Sequence, residues 1–271
     1  MATSLLILTD FFKAANRALD YATNLAEPLG ARLVLLHVRR DSVLDPDMFT
    51  GELSNLNKEA VALALRSITR QLSVPVVAEV GHGRVAFAVA DALSRHHPTL
   101  IVLGRPDYTA TPDELVQTTS LDILRTAPYP MLVIPHQIAA SALPRRVLLA
   151  VDGEEFTLGE HAAPIHQLLT ALNAELTVLT VTPNDTPATS AALDSVLHAG
   201  LALSTLSLLH TRSVPNTSPA EGILAAAQPT EFDLVVLIAR RRSFLGQLFH
   251  HSVTAQVLLR SELPVLIVPA D

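Results

Sequence analysis

Cysteine and tryptophan are absent from the chain, aromatic residues make up only 4% of it, and no lysine follows Lys58. Without cysteine there is no disulfide framework, no thiolate zinc site and no thiol nucleophile, which suits a reducing compartment. Few aromatics set against 49% apolar residues mean an aliphatic core, the habit of parallel sheets covered by helices. Nowhere do about 18 apolar residues run uninterrupted, and the apolar opening "MATSLLILTDFF" is short and broken by Asp10. Neither a membrane span nor a signal peptide is therefore expected, and the protein should be soluble and cytoplasmic. Basic charge is scarce as well. A formal charge of −7 and the lack of any groove-reading module exclude a general nucleic-acid binder. There is no Gly-x-Ser-x-Gly elbow, no P-loop and no complete dinucleotide fingerprint; "GHGR" at Gly81 supplies two glycines ahead of a helix and reads as a turn. No catalytic residue is assigned, and the chain is not expected to be an enzyme.

What is present is a duplication. At 271 residues the chain has room for two domains. "SLLILTDF" from Ser4 returns as "RVLLAVDG" from Arg146, 142 positions later, and "LLHV" ending at Val38 returns as "VLTV" ending at Val181. Beyond that point the offset is 134: "TLIVLGR" from Thr99 matches "DLVVLIA" from Asp233, and "PMLVIP" from Pro130 matches "PVLIVP" from Pro264. The second copy has thus lost eight or nine residues between its second and third strands. A repeat this long signals two duplicated domains, 1–138 and 144–271, rather than a solenoid.

Short β-branched runs mark strands in copy one at Ser4 to Thr9, Arg32 to Val38, Val74 to Val80, Thr99 to Gly104 and Met131 to Pro135. Apolar residues three and four apart mark helices between them at Lys13 to Leu29, Leu53 to Leu72, Val85 to His96 and Asp113 to Ala127. Copy two repeats the order, with helices at Leu158 to Leu172, Ala188 to Leu203, Ala220 to Gln228 and Leu248 to Arg260. Strict alternation of strand and helix implies an α/β fold, a doubly wound parallel sheet with right-handed crossovers in each copy. Ligands of such sheets bind beyond the carboxyl ends of the strands, where strand order reverses. Asp10, Val38 and Gly104 lie at those ends in copy one, and Asp152, Val181 and Ile238 in copy two.

In order and spacing, "ILTDFFKAANRALDYATNLAEPLGARLVLLHV", "VLLAVDGEEF", "PAEGILAAA" and "SVTAQVLLRSELPVLIVP" resemble the universal stress protein family, in tandem over nearly the whole chain. The resemblance implies an adenine nucleotide alpha hydrolase-like fold, five parallel strands of order 3-2-1-4-5 in each domain with helices on both faces, and a stress-response role. Some members bind ATP. There the acid ending the first strand, here Asp10 and Asp152, contacts the nucleoside, and backbone at Val38 and Val181 meets the adenine. The phosphates rest in a loop of pattern Gly, two residues, Gly, nine residues, Gly, then Ser or Thr. Glycine serves such a loop because backbone without a Cβ can turn its N–H groups onto an anion. Copy one places Gly104, Asp107, Gln117 and Thr118 at those positions, and Pro106 removes an N–H from the same loop. Copy two places Ile238, Arg241, His251 and Ser252 there. Both ATP-binding motifs are degenerate. No cofactor is expected, and ATP or AMP is the nucleotide that the resemblance leaves open.

Two readings of "ARRRS" stand side by side. Arg240, Arg241 and Arg242 either form a solvated loop pairing with acids of a neighbouring domain or subunit, or replace lost backbone donors with guanidinium forks that bind nucleotide or a small anion, with Asp152 and Ser252. Ser252 is equally a plain helix cap, and Asp10 and Asp152 are equally strand-end acids that accept backbone hydrogen bonds in the next turn. The doublets His96-His97 and His250-His251 point about 100° apart on a helix and lack a partner at ligand spacing, so no metal is expected. Asp45, Asp47 and Glu52 read as a solvated acidic loop. The apolar last strands are sheet edges that need cover. Their expected cover is each other within the chain, Leu132, Val133 and Ile134 against Leu266, Ile267 and Val268, with Pro135 and Pro269 ending the edges, an internal pseudo-dimer. A further homodimer and an unidentified protein partner are left open.

Overall fold

The computed structural model describes residues 3–39, 51–106, 119–138, 143–183, 190–201, 209–240 and 252–271, and for 51–57 the backbone alone. The first half contains β1 (Ser4–Thr9), α1 (Lys13–Leu29), β2 (Arg32–Arg39), α2 (Gly51–Thr69), β3 (Val76–His82), α3 (Val85–His96), β4 (Leu100–Arg105), α4 (Thr119–Thr126) and β5 (Met131–Pro135). The second contains β6 (Arg146–Val151), α5 (Ala162–Ala171), β7 (Glu175–Thr182), α6 (Ser190–His198), β8 (Leu209–Pro215), α7 (Pro219–Ala226), β9 (Leu234–Arg240), α8 (Val253–Arg260) and β10 (Val265–Ala270).

All ten strands form one sheet of order β3-β2-β1-β4-β5-β10-β9-β6-β7-β8. Each half therefore carries its own five parallel strands in the order 3-2-1-4-5, and the order reverses between the first and fourth strands of each half. Alternation within the strands decides the layers. Leu5, Ile7, Leu33 and Leu35 face the side covered by α1, with Leu149, Val178 and Val236 on that same side under α5. Leu6, Val34, Leu36 and Ile101 face α3 and α4, with Leu148, Leu179 and Val235 on that side under α7 and α8. Each of these apolar layers is continuous through both halves, and each fully buried leucine adds about 2 kcal/mol relative to exposure.

The halves meet where β5 and β10 pair antiparallel, Val133 opposite Val265, Leu132 opposite Leu266 and Met131 opposite Ile267. The paired triplets sit one residue earlier in each strand than the sequence suggested, so Ile134 and Val268 follow the ladder. Pro135 is the last residue of β5, whereas Pro269 does not end its strand: it lies inside β10, opposite Ala239 of β9, and Ala270 is the last strand residue. A second link crosses the seam. Arg105, last residue of β4, donates from Nη1 to the Leu258 carbonyl at 2.6 Å and from Nη2 to the Ser261 carbonyl, so a first-half cation caps the C-terminus of the second half's α8. Both the open carbonyls and the negative end of the helix dipole favour it there.

Other departures from expectation have local causes. β3 begins at Val76, not Val74, because Pro75 has no ladder N–H and contributes only its carbonyl, which accepts Leu33 N–H at 2.8 Å. α5 begins at Ala162, after a single 3-10 turn at Gly159–His161. α8 begins at Val253, with Ser252 accepting the Ala255 N–H at 3.1 Å as its cap. The expected helical residues 113–118, 188–189, 202–203 and 248–251 lie outside the described residues.

Replacing Arg105 by alanine leaves two helix-end carbonyls without their charged donor. Urea denaturation is expected to show a loss of about 2 kcal/mol; an unchanged midpoint would remove the tether from the account.

Candidate functional site

The carboxyl ends of β1, β2 and β4 surround a crevice of about 490 Å³, lined among others by Thr9, Asp10, Phe12, His37, Val38, Gly104 and Pro106. Asp10, Val38 and Gly104, three of the residues singled out from sequence, come together there; Thr118 lies outside the described residues. The Asp10 carboxylate works first as a turn acceptor, its Oδ1 taking the Phe12 N–H at 2.9 Å. Phe11 between them is left-handed at φ 66°, a conformation unfavourable for a bulky side chain. Its ring lies 4.7 Å from that of His37, and His37 Nδ1 donates to the Thr9 carbonyl at 2.9 Å, which fixes both rings against the strand ends.

Gly104 has a steric duty. A Cβ built on it would stand 2.1 Å from the Ala14 carbonyl oxygen and 2.9 Å from the Ala15 nitrogen, so the absent side chain is what lets α1 start at Lys13 against the end of β4. Ile238, the equivalent residue of the second half, cannot permit that approach. There the helix is delayed: the chain from Asp152 to Leu158 is not helical, and Phe156 and Leu158, each 4% exposed, fold into the same apolar layer that Ile238 packs against.

This delay frees the carbonyls of Glu154 and Glu155, and Arg240 takes them. Its Nη2 donates to the Glu154 carbonyl at 3.0 Å and its Nη1 to the Glu155 carbonyl at 2.8 Å. The same guanidinium grips Asp152, Nη2 to Oδ1 at 2.9 Å and Nε to Oδ2 at 3.2 Å, with the Glu154 carboxylate 3.7 Å away. Asp152 also accepts the Glu154 N–H at 3.1 Å, the counterpart of the Asp10 turn, with Gly153 left-handed at φ 81° where Phe11 stands in the first half. Burial pushes the Asp152 carboxyl up, but the Arg240 hydrogen bonds, the Glu154 N–H and the nearby positive charge outweigh it and hold it below the usual carboxylate range. Asp152 and Arg240 therefore satisfy each other within the half rather than reaching another domain.

Val181 sits near the end of β7 against α7, where a Cβ on Gly222 would come within 2.5 Å of its Cγ1. Ser252 caps α8, while Arg241 and Arg242 lie outside the described residues. Among the described residues no cluster of histidine and carboxylate groups could hold a metal. His96 Nε2 instead meets Glu79 at 3.1 Å, and His97 is the left-handed cap of α3. His250, His251, Asp45 and Asp47, like the Glu52 side chain, lie outside the described residues. Sequence reasoning missed Phe12, His37 and Arg105; strand alternation puts His37 on the same face as Thr9 and Gly104, a signal that could have found it.

A duplicated, doubly wound sheet with a crevice at the first half's switch point is the class that fold and geometry define. The chain belongs to the universal stress protein family, whose model matches residues 1–135 and again 144–269. Among solved structures it is similar to a universal stress protein from Archaeoglobus fulgidus, with a TM-score of 0.71, 18% identity and 98% of each chain covered. It is also similar to a functionally unknown protein of Pseudomonas aeruginosa PAO1, with a TM-score of 0.61, 19% identity and 100% of this chain and 93% of that one covered. The cytoplasmic domain of a prokaryotic cation chloride cotransporter shares the fold at a TM-score of 0.54 and 12% identity, covering 100% of this chain and 95% of that one. Identities this low show the fold alone. No curated protein matches the chain. Among the described residues no helix is long and apolar enough to cross a membrane.

Two substitutions test this geometry. Gly104→Ala is expected to lower stability by about 3 kcal/mol through the clash with Ala14, read from the melting curve; a neutral result would contradict the packing. Arg240→Ala is expected to cost about 1–2 kcal/mol at neutral pH, solvent screening included. Because the folded carboxyl of Asp152 titrates low, its contribution is complete above the ordinary carboxylate range and is lost as pH falls through the folded value. The stability gap between wild type and Arg240→Ala should therefore be full at neutral pH and narrow below about pH 4 to what the two carbonyl bonds contribute. A gap that widens in acid would contradict the pair.

Proposed function

We propose that the chain is a cytoplasmic, non-catalytic stress-response protein built from two universal stress domains, 1–138 and 144–271, that acts through a protein partner and holds no ATP. The observation that carries this reading is Arg240 occupying the second switch point, bonded to Asp152 and to the Glu154 and Glu155 carbonyls. A nucleoside entering there would have to displace four hydrogen bonds. In the first half the support is compositional: two of the three cradle glycines are replaced, by Asp107 and Gln117, and Pro106 withholds a donor.

The alternative, a nucleotide or small-anion sensor working through Arg240, Arg241 and Arg242 with Asp152 and Ser252, is weakened by the same observation. Arg240 and Asp152 neutralise each other, and the Ser252 hydroxyl is engaged as a cap. The anion reading would then rest on Arg241 and Arg242.

Calorimetry on the intact chain with ATP, AMP and inorganic phosphate separates the readings. No heat at millimolar ligand is expected. Binding of ATP or AMP abolished by Arg241→Ala would overturn the proposal in favour of the sensor.

A further inference from the structure

Beside the first-half crevice the backbone holds a conformation that its own side chain opposes. Phe11, at φ 66°, lies in the left-handed region, where a bulky residue stays only if its surroundings over-determine it. Here they do. The Phe11 N–H donates to Thr9 Oγ1 at 3.1 Å, and Asn16 Nδ2 donates to the Phe11 carbonyl at 3.4 Å. Asp10 Oδ1 takes the following N–H, that of Phe12, at 2.9 Å. The Phe11 ring meets the His37 ring with centroids 4.7 Å apart and planes 32° apart, and Nδ1 of His37 is anchored on the Thr9 carbonyl at 2.9 Å. Thr9, Asp10, Phe12 and His37 all line the crevice.

The second half supplies the comparison. Asp152 makes the same turn, its Oδ1 accepting the Glu154 N–H at 3.1 Å, but the residue between them is Gly153 at φ 81°, for which the left-handed region carries no steric penalty. The side chains that hold Phe11 are absent there too. Val151 ends β6 where Thr9 ends β1, and Thr180 is the sixth residue of β7 where His37 is the sixth of β2. Leu158 stands at the 142-residue offset from Asn16. None of these three can make the contact its counterpart makes: valine and leucine carry no polar group, and threonine has no ring. Strain and the groups that hold it therefore occur together in one half and are missing together from the other.

We propose that Phe11 and His37 form a latch that sets the wall of the first-half crevice. His37 is a positioning residue: its ring keeps Phe11 left-handed, which places the Asp10 carboxylate and the exposed Phe12 ring at the crevice and lets α1 begin at Lys13. Without the His37 ring, residue 11 leaves the left-handed region, and Phe12 and the first turn of α1 move with it, because the direction of the chain out of β1 turns on that φ. The crevice wall thus has two settings, held and released, and the His37 ring selects between them. The Gly153 turn keeps its shape unaided, so the second switch point has nothing to release. The inference stands apart from the stress-protein reading, since it concerns the backbone state of the crevice wall.

Solvent-exchange NMR on the full chain tests this through the Phe12 amide, which is bonded to Asp10, with the Glu154 amide as the matching probe in the second half. His37→Ala is compared in two backgrounds, wild type and Phe11→Gly. In wild type the substitution is expected to speed exchange of the Phe12 amide roughly tenfold and to carry the Cα and Cβ shifts of Phe11, which report φ, out of the left-handed range. In Phe11→Gly, where residue 11 needs no holder, the same substitution should leave the Phe12 amide unchanged. The Glu154 amide should respond in neither. Equal acceleration in the two backgrounds, no acceleration in wild type, or acceleration at Glu154 matching that at Phe12 would each overturn the proposal.

Discussion

A missing Cβ separates the two halves of this molecule. At the end of β4, Gly104 lets the backbone of Ala14 approach to a distance that no side chain would tolerate, and α1 starts at once. At the end of β9 the equivalent residue is Ile238, and the helix after β6 starts only at Ala162. The delay frees backbone carbonyls at Glu154 and Glu155 just where a strand-end arginine can reach them. Arg240 does so, and in turning back it meets the Asp152 carboxylate. Exchange of one glycine thus accounts for the late helix and the charged bridge, because the carbonyls left outside the helix and the Asp152 carboxylate draw a charged donor.

The asymmetry matters because the halves are otherwise mechanically one body. They share a single ten-stranded sheet and two continuous apolar layers, and Arg105 links the rim of the open crevice to the end of α8. α8 itself starts at Val253, capped by Ser252, and follows the arginine-bearing segment in the chain. A change at either end of α8 therefore acts on a helix held by both halves. One duplicated scaffold carries an open crevice in its first half and the Arg240–Asp152 bridge at the equivalent place in its second, which is a reason to treat the halves as specialised rather than redundant.

Much of this was legible from residue pattern. Five strands with Leu, Val and Ile runs, four helical stripes and their recurrence at offsets of 142 and 134 place the layers and the switch points, because period and burial are local properties of the sequence. The double nature of Asp10 and Asp152 as turn acceptors was legible too, from their place one residue past a buried strand. The partner of Arg240 was not, since Asp152 lies 88 positions away and the carbonyls it shares exist only because a helix fails to start. Helical periodicity from Leu158 says nothing about a clash with Ile238, which is a tertiary event. Likewise the alternation in β5 and β10 predicts that the edges meet but not in which register, and a one-residue difference is decided by packing across the seam.

The direct test of the Arg240 bridge at the second switch point is the NMR signal of the Arg240 side-chain Nε–H, assigned by its disappearance in Arg240→Lys. A slowly exchanging resonance that stays in place when millimolar ATP is added is the result expected of a guanidinium locked to Asp152 and two carbonyls. Exchange at the rate of a solvated arginine, or a shift on adding ATP, would contradict it.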